Sequence, residues 1–402
     1  MRIIAITPEL PYPPDQGGRI RMYNILTRLA KKHEVHLISL TSEQISLEYK
    51  TFLDNLFASV SCYNSNRSVY SLAYCLFLSL FWQRPYKLYK STPPGFKSFL
   101  RSKIQNIAPD ILLFDFHYLL DSVPDLKIPK VVVLHNLDHI LYARFAAESG
   151  FSLKKIHGII QKPLSMNLEI KLPVIFDHCV TVSKIEDNIL RSISSSFNTS
   201  VIPNGVDIEF FTPNFKSPPS FCDDQSDIVF FGSMDYYPNI DGAIFMIEKI
   251  MPHIWKTDPK VSISIVGRNP GRLIRSYSQD ARVRIIGGVD DMRPYIINAK
   301  VTVVPLRMGG GTRLKALEAA AMGKAIIGTS IGLEGLEFVD RKHILIADTP
   351  NEFAEQVIAC LNSAILRESL GSQARKFVEE NYNWAHLTDK MEDLLKSVVD
   401  RY

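Results

Sequence analysis

The residues best suited to chemistry lie together late in the chain, in Val303-Val304-Pro305-Leu306-Arg307-Met308-Gly309-Gly310-Gly311-Thr312-Arg313-Leu314-Lys315-Ala316-Leu317-Glu318-Ala319-Ala320-Ala321-Met322-Gly323. Three consecutive glycines, Gly309, Gly310 and Gly311, let the backbone come close to a ligand. Thr312 is of the type that caps a helix, and a helix N-terminus carries roughly half a positive charge. Arg313 and Lys315 add two cations to the expected first turn, where they oppose the helix dipole, and a bound phosphate would resolve that conflict. Glu318 follows in a helix whose other residues are small and apolar. A helix that merely packs on a sheet accounts for the alanines, but not for Arg313, Lys315 and Glu318 together.

Three further places carry residues of the same promise. Gly17 and Gly18 open a helix after the run IIAIT, where paired glycines admit an anion to backbone N–H groups. His135 closes the run KVVVLHN, with Asp138 and His139 just beyond, and an imidazole there can exchange a proton near neutrality or simply cap the strand. Arg268, in Gly267-Arg268-Asn269-Pro270 after SISIV, can stack its guanidinium on a nucleobase.

These groups need elements to position them, and the hydrophobic pattern supplies those elements. Short Val- and Ile-rich runs alternate with helical segments from IIAIT through HCVTV, and the rhythm restarts after residue 205 with DIVFFG, VSISIVG, VRIIGG, VTVVPL and AIIGT. Alternating β and α elements predict an α/β fold: two Rossmann-like, doubly wound parallel-sheet domains facing a cleft. In such sheets ligands bind beyond the carboxyl ends of the strands, where all four places fall. Helices are expected over Asn239–Trp255 and Thr312–Met322, and a last strand over His343–Ala347. The boundary is placed at 203, ahead of a polar stretch carrying Pro213, Pro218 and Pro219. A first domain of 1–203 and a second of 204–384 follow, with a bend at Tyr382-Asn383-Trp384 that sends a C-terminal helix, 385–402, back across the cleft.

Length and composition agree with two globular domains: 402 residues, 46% hydrophobic, 22% charged and a formal charge of +4. Disordered, collagen-like and coiled-coil classes are excluded. Cys62, Cys75, Cys179, Cys222 and Cys360 form no C-x-x-C pair, so neither a zinc ribbon nor a disulfide framework is expected. With no basic-apolar leader and no apolar run near the roughly 20 residues needed to span a bilayer, a cytoplasmic chain is expected. Neither half carries G-x-G-x-x-G with an acid about 20 residues on, which argues against hydride transfer.

Taken together, these residues resemble the retaining glycosyltransferases of family 4, also called glycosyl transferases group 1, which have the GT-B architecture. The markers are the Gly-rich first loop at Gly17 and Gly18, the entry Ile202-Pro203-Asn204-Gly205-Val206-Asp207, and the helix ending Leu317-Glu318-Ala319-Ala320-Ala321-Met322-Gly323-Lys324. The resemblance implies transfer of a sugar from a nucleotide-diphosphate sugar to a hydroxyl acceptor with retention of anomeric configuration, and it implies that Glu318 contacts the nucleotide ribose. Two departures from the family pattern stand out. Gly310 occupies the position of the first glutamate of E-x7-E, and the loop Gly232-Ser233-Met234-Asp235-Tyr236-Tyr237-Pro238-Asn239 lacks the usual G-R-x-x-x-x-K. Arg313 and Lys315 are the natural substitutes for those cations, and His135 is expected near the donor sugar. No metal or cofactor is expected, since Asp290 and Asp291 form no D-x-D.

On the acceptor side, residues 55–109 contain no Asp or Glu but carry Arg67, Arg84, Lys87, Lys90, Lys97, Arg101 and Lys103. With the apolar run Leu72 to Trp82 among them, peripheral contact of 72–103 with the inner face of a membrane is expected, and nucleic acid is not. A glycan or lipid-linked acceptor in cell-surface polysaccharide synthesis fits this setting. Two alternatives share the architecture: a nucleotide-sugar 2-epimerase, and a non-catalytic nucleotide-sugar-binding partner subunit.

Overall fold

The computed structural model describes residues 1–41, 46–65, 72–147, 153–218, 221 and 226–402. Arg67, Pro219 and Cys222, named above, lie outside the described residues. The chain forms two compact units, one of Met1–Pro203 together with Trp384–Tyr402 and one of Asn204–Asn383.

The first unit is built on seven strands: β1 (Arg2–Thr7), β2 (Glu34–Thr41), β3 (Ser59–Asn64), β4 (Ile111–Asp115), β5 (Lys130–Leu134), β6 (His178–Thr181) and β7 (Thr199–Val201). They lie in the order β3-β2-β1-β4-β5-β6-β7, every neighbouring pair parallel. Because side chains alternate along a strand, Ile4 and Ile6 enter one apolar layer with Leu112 and Phe114, while Ile3 and Ala5 enter the other with Met22 and Leu113. That second layer also receives Trp384, Leu387, Met391, Leu395 and Val398. These recur at three- and four-residue intervals along the helix Trp384–Val399, so one face of that helix is bound to be buried. This apolar stripe is what returns the end of the chain to the first unit.

The second unit holds β8 (Ile228–Phe231), β9 (Ile263–Val266), β10 (Val283–Ile286), β11 (Val301–Val304), β12 (Ala325–Gly328) and β13 (Leu345–Ile346). Their order is β10-β9-β8-β11-β12-β13, again parallel throughout. In each sheet the strand order reverses once, between β1 and β4 and between β8 and β11. Loops diverge there, and the fold leaves a crevice at the carboxyl ends of those strands.

Three elements differ from the sequence pattern. The expected helix Asn239–Trp255 is divided into Tyr237–Phe245, a π-turn at Met246–Ile250 and Met251–Thr257. Pro252 lacks an N–H and crowds the carbonyl four residues back, so a widened turn precedes it. The helix after the glycines runs over Leu314–Ala321, two residues later than expected, because Arg313 rather than Thr312 sits at its N-cap, without a side-chain cap bond. The expected strand His343–Ala347 is reduced to Leu345–Ile346, since only these residues pair with β12.

Candidate active site

In the second unit the crevice between β8 and β11 gathers the glycine-rich segment and the loop that follows β8. Gly309 and Gly311 have φ of 119° and 76°, conformations that disfavour any side chain, so the loop depends on glycine there. Arg313 is buried, and its Nη1 donates to the Gly310 carbonyl at 2.6 Å and its Nη2 to the Ile331 carbonyl at 3.3 Å. Its guanidinium therefore braces the loop, which the sequence did not disclose.

Lys315 reaches across to β8. Its Nζ donates to Asn239 Oδ1 at 2.7 Å, and Asn239 Nδ2 donates to the Ser233 carbonyl at 2.8 Å. The ammonium also lies 4.6 Å from the centroid of the Phe230 ring. Gly232, at φ 151°, leaves room for this contact: a Cβ there would stand 2.7 Å from Lys315 Nζ. Asn239 and Gly232 are thus members of the site that motif reading missed. The available signal was their place on the loop and first helical turn that follow the strand at the point of reversal.

The electrostatics of this crevice are unsettled in the empty protein. Burial, reinforced by Arg313 and opposed by Glu318, pushes the Lys315 ammonium down to about 7. Burial pushes the Glu318 carboxyl up to about 7, against the pull of Lys315. Both side chains are nevertheless only half-buried by surface area. Crowding by protein atoms deprives each charged form of part of its hydration. Arg268 is exposed at the end of β9, and its carbonyl accepts a bond from the Met234 N–H at 2.9 Å, so it borders the same loop. Thr312 is half-buried beside these residues.

The first unit has a separate arrangement at its own reversal, between β1 and β4. His135, buried after β5, is bound through Nε2 to Asp115 at the end of β4. Its ring lies flat on Phe116, with centroids 3.8 Å apart and planes 4° from parallel. Phe116 has φ 86°, which costs a non-glycine residue of this bulk about 1–3 kcal/mol and is the kind of strain that gathers at functional sites. A Cβ on Gly18 would come within 3.3 Å of the Phe116 ring, so Gly18 and His135 meet the same aromatic ring from different elements. Gly17 begins the helix Gly17–Ala30. From that helix the buried Arg21 donates to the Pro203 carbonyl at 2.7 Å, and burial, offset by Asp115, brings its guanidinium down to about 10.

Beside Phe116 lies a recess of about 260 Å³, lined among others by Pro8, Glu9, Lys87, Lys90, Phe116 and Tyr118. Lys87 Nζ donates to the Tyr118 hydroxyl at 2.7 Å and to Asp138 Oδ1 at 2.8 Å, and Tyr118 donates to the same oxygen at 2.8 Å. Burial first, then Asp138, raises the Tyr118 hydroxyl well above its ordinary range. His139 is bound to the buried Glu169. Asp138 thus anchors two of the residues that line the recess, while His139 is fixed behind it by Glu169 and does not line it. Among the described residues no group of three or more His, Cys, Asp or Glu is placed to hold a metal ion.

Two parallel α/β sheets, each with a polar crevice at its point of reversal and one of them lined by a glycine loop and a lysine, define the GT-B architecture. Family models agree in both halves: residues 16–210 match Glycosyltransferase Family 4 and residues 225–363 match Glycosyl transferases group 1. The chain belongs to this family and is a glycosyltransferase. An uncharacterized 44.6 kDa protein in the cps region of Klebsiella pneumoniae is 24% identical over 95% of this chain and 96% of its own. A GDP-mannose-dependent monoacylated α-(1-6)-phosphatidylinositol monomannoside mannosyltransferase of Corynebacterium glutamicum is 26% identical over 53% of this chain and 61% of its own. Among solved structures, sucrose-phosphate synthase of Thermosynechococcus elongatus superposes with a TM-score of 0.73 over all of both chains at 16% identity. Anabaena HepE in complex with UDP-glucose gives 0.67 over 99% of this chain and all of its own, at 13% identity. At such identities the structures show the shared fold alone.

Proposed function

We propose that the second unit holds a nucleotide-diphosphate sugar and that the protein moves its sugar, with retention, to a hydroxyl of a glycan or lipid-linked acceptor in cell-surface polysaccharide synthesis. The observation that carries this reading is the Lys315 ammonium, held by Asn239 over Gly232 at the reversal of the second sheet and brought down to about 7 by burial and by Arg313. A diphosphate placed there restores the full charge of Lys315 and meets the glycine loop that Arg313 braces. Glu318, on the same helix, accepts from the ribose hydroxyls; Gly309, Gly310, Gly311 and Thr312 shape the backbone around the phosphates, and Arg268 borders the base. Gly310 leaves no carboxylate facing the sugar, so the reaction is read as a front-face displacement. The bond from the anomeric carbon to the phosphate oxygen breaks as the acceptor oxygen bonds on the same side, and that phosphate oxygen takes the acceptor's proton. Lys315 stabilises the charge growing on the leaving diphosphate, and Arg313 acts through the loop it braces.

On the first unit, His135, fixed by Asp115 and Phe116, serves the sugar and acceptor hydroxyls, and the recess at Phe116 and Tyr118 receives the acceptor. Aromatic faces suit the apolar face of a sugar ring, and Lys90 suits an anionic substituent. Residues 72–103 make peripheral contact with the inner membrane surface. The mannosyltransferase likeness supports a lipid-linked acceptor, and the cps-region likeness supports a surface polysaccharide.

The test is a thermal-shift series with nucleotide sugars followed by transfer assays with the pure chain. A true donor at 100 times its dissociation constant adds about 2.7 kcal/mol of stability. Transfer is expected to persist in EDTA, because protein cations meet the diphosphate. Isomerised nucleotide sugar formed without any acceptor would replace this reading with the epimerase, and donor binding without transfer or hydrolysis would replace it with the binding subunit.

A further inference from the structure

We propose that the first unit docks on an anionic lipid surface through the helix Leu72–Trp82. This helix is apolar on every side, a composition that belongs in a core or against lipid, yet it is not buried. Tyr74, Phe77, Leu80, Phe81 and Trp82 are 46–67% exposed. Only its inner side is held: Cys75 and Ser79 are buried, and Ser79 accepts a bond from Gln161 at 2.9 Å. The outer rings are ordered against one another, Phe77 stacked on Phe81 at 6.2 Å and Phe81 edge-on to Trp82 at 5.1 Å. With 11 residues the helix is too short to span a bilayer, and no helix among the described residues is long and apolar enough to cross one. It is suited to lie in the interface.

Charge decides what covers it. No Asp or Glu occurs from residue 55 to 109, while Lys90, Lys97 and Arg101 are exposed nearby in sequence. The adjoining helix Leu153–Glu169, joined to it through Gln161, leaves Ile156, Ile159 and Met166 exposed at helical spacing. Its one acid, Glu169, is buried against His139, whereas Lys162 is exposed. A second copy of the chain laid on this face would bring Lys162 and the cations that follow the helix toward their own like charges. An anionic leaflet supplies the missing charge. The helix Tyr86–Ser91 follows at once in sequence and carries Lys87 and Lys90 into the recess, so docking would bring the recess to the leaflet from which a lipid-borne acceptor is presented. That last purpose rests on the transferase reading; the docking itself does not.

The experiment is sedimentation of the full chain with vesicles of phosphatidylcholine, alone or mixed with phosphatidylglycerol. Wild type is expected to sediment with the mixed vesicles, less so as salt is raised. Phe77→Ser combined with Phe81→Ser should lower the partition coefficient at least about tenfold with the unfolding temperature unchanged, since both rings are exposed. Lys97→Gln combined with Arg101→Gln should weaken the preference for phosphatidylglycerol. Binding should move tryptophan emission to shorter wavelength, and Trp82→Phe should remove that shift, leaving Trp255 and Trp384 silent. Equal binding by the double serine variant, or equal binding to both vesicle types, overturns the proposal. So does a dimer in light scattering that the serine variant abolishes, which would make the face a contact between copies. Donor binding, followed in parallel by thermal shift, separates this result from failure of the transferase reading.

Discussion

Replacing Lys315 by Met keeps the length of the side chain and removes its charge, and it separates what the lysine does in the empty protein from what it does with a donor. An ammonium lowered from 10.5 to about 7 carries a penalty of about 5 kcal/mol if wholly sealed from water. Lys315 is only half-buried, so solvent screening reduces this to about 1–2 kcal/mol, less about 1 kcal/mol for the lost bond to Asn239. The empty variant should therefore unfold at the wild-type temperature or a few degrees above it at pH 7. The sign with pH is distinctive. Between about 7 and 10.5 the unfolded lysine binds more protons than the folded one, so wild-type stability receives a rising contribution as pH increases through that window. Lys315→Met should lack that rise. With nucleoside diphosphate the order inverts: affinity should fall by at least about tenfold, a charge-assisted bond being worth about 1.5–3 kcal/mol, while nucleoside affinity changes little. The assay is unfolding temperature across pH 6 to 10 with and without nucleotide. A variant that is less stable when empty, retains the alkaline rise and binds diphosphate normally would refute the reasoning.

Arg313→Ala should destabilise the empty protein by about 1–3 kcal/mol, contrary to what two cations in a first helical turn suggest, because Gly310 and Ile331 lose a buried donor; denaturant unfolding measures this. Glu318 binds more protons folded than unfolded between about 4.5 and 7, so it lowers stability as pH rises through that window; Glu318→Gln should abolish the fall in a pH series of melts and weaken donor binding. Asp115→Asn should leave donor affinity intact yet lower turnover on the order of 100-fold by releasing His135, a split between rate and binding that steady-state kinetics resolves. Trp384→Ala should cost the first unit about 3–5 kcal/mol, read by denaturant unfolding, since the ring is 1% exposed in the layer shared with β1.

Much of the architecture was legible because it follows from local periodicity. Runs such as IIAIT and KVVVL, short and rich in β-branched residues, read as strands buried on both faces, and their alternation with helices points to parallel sheets. The break at Tyr382-Asn383 and the helix Leu72–Trp82 were likewise legible, as an interrupted pattern and an uninterrupted one. Which cation faces the crevice was not. Arg313 and Lys315 are two residues apart and so point to different sides of the helix, and only the packed loop shows that one braces Gly310 while the other reaches Asn239, 76 positions away.

The same holds for His135, whose partners Asp115 and Phe116 come from a strand about 20 residues earlier. The sequence by itself determined the classes of element and the family, because periodicity and motifs are properties of neighbours along the chain. The tertiary structure alone decided the partner of each charged group and its proton affinity. Those depend on distance and burial in space, and the parallel sheets set both by joining strands that are remote in sequence.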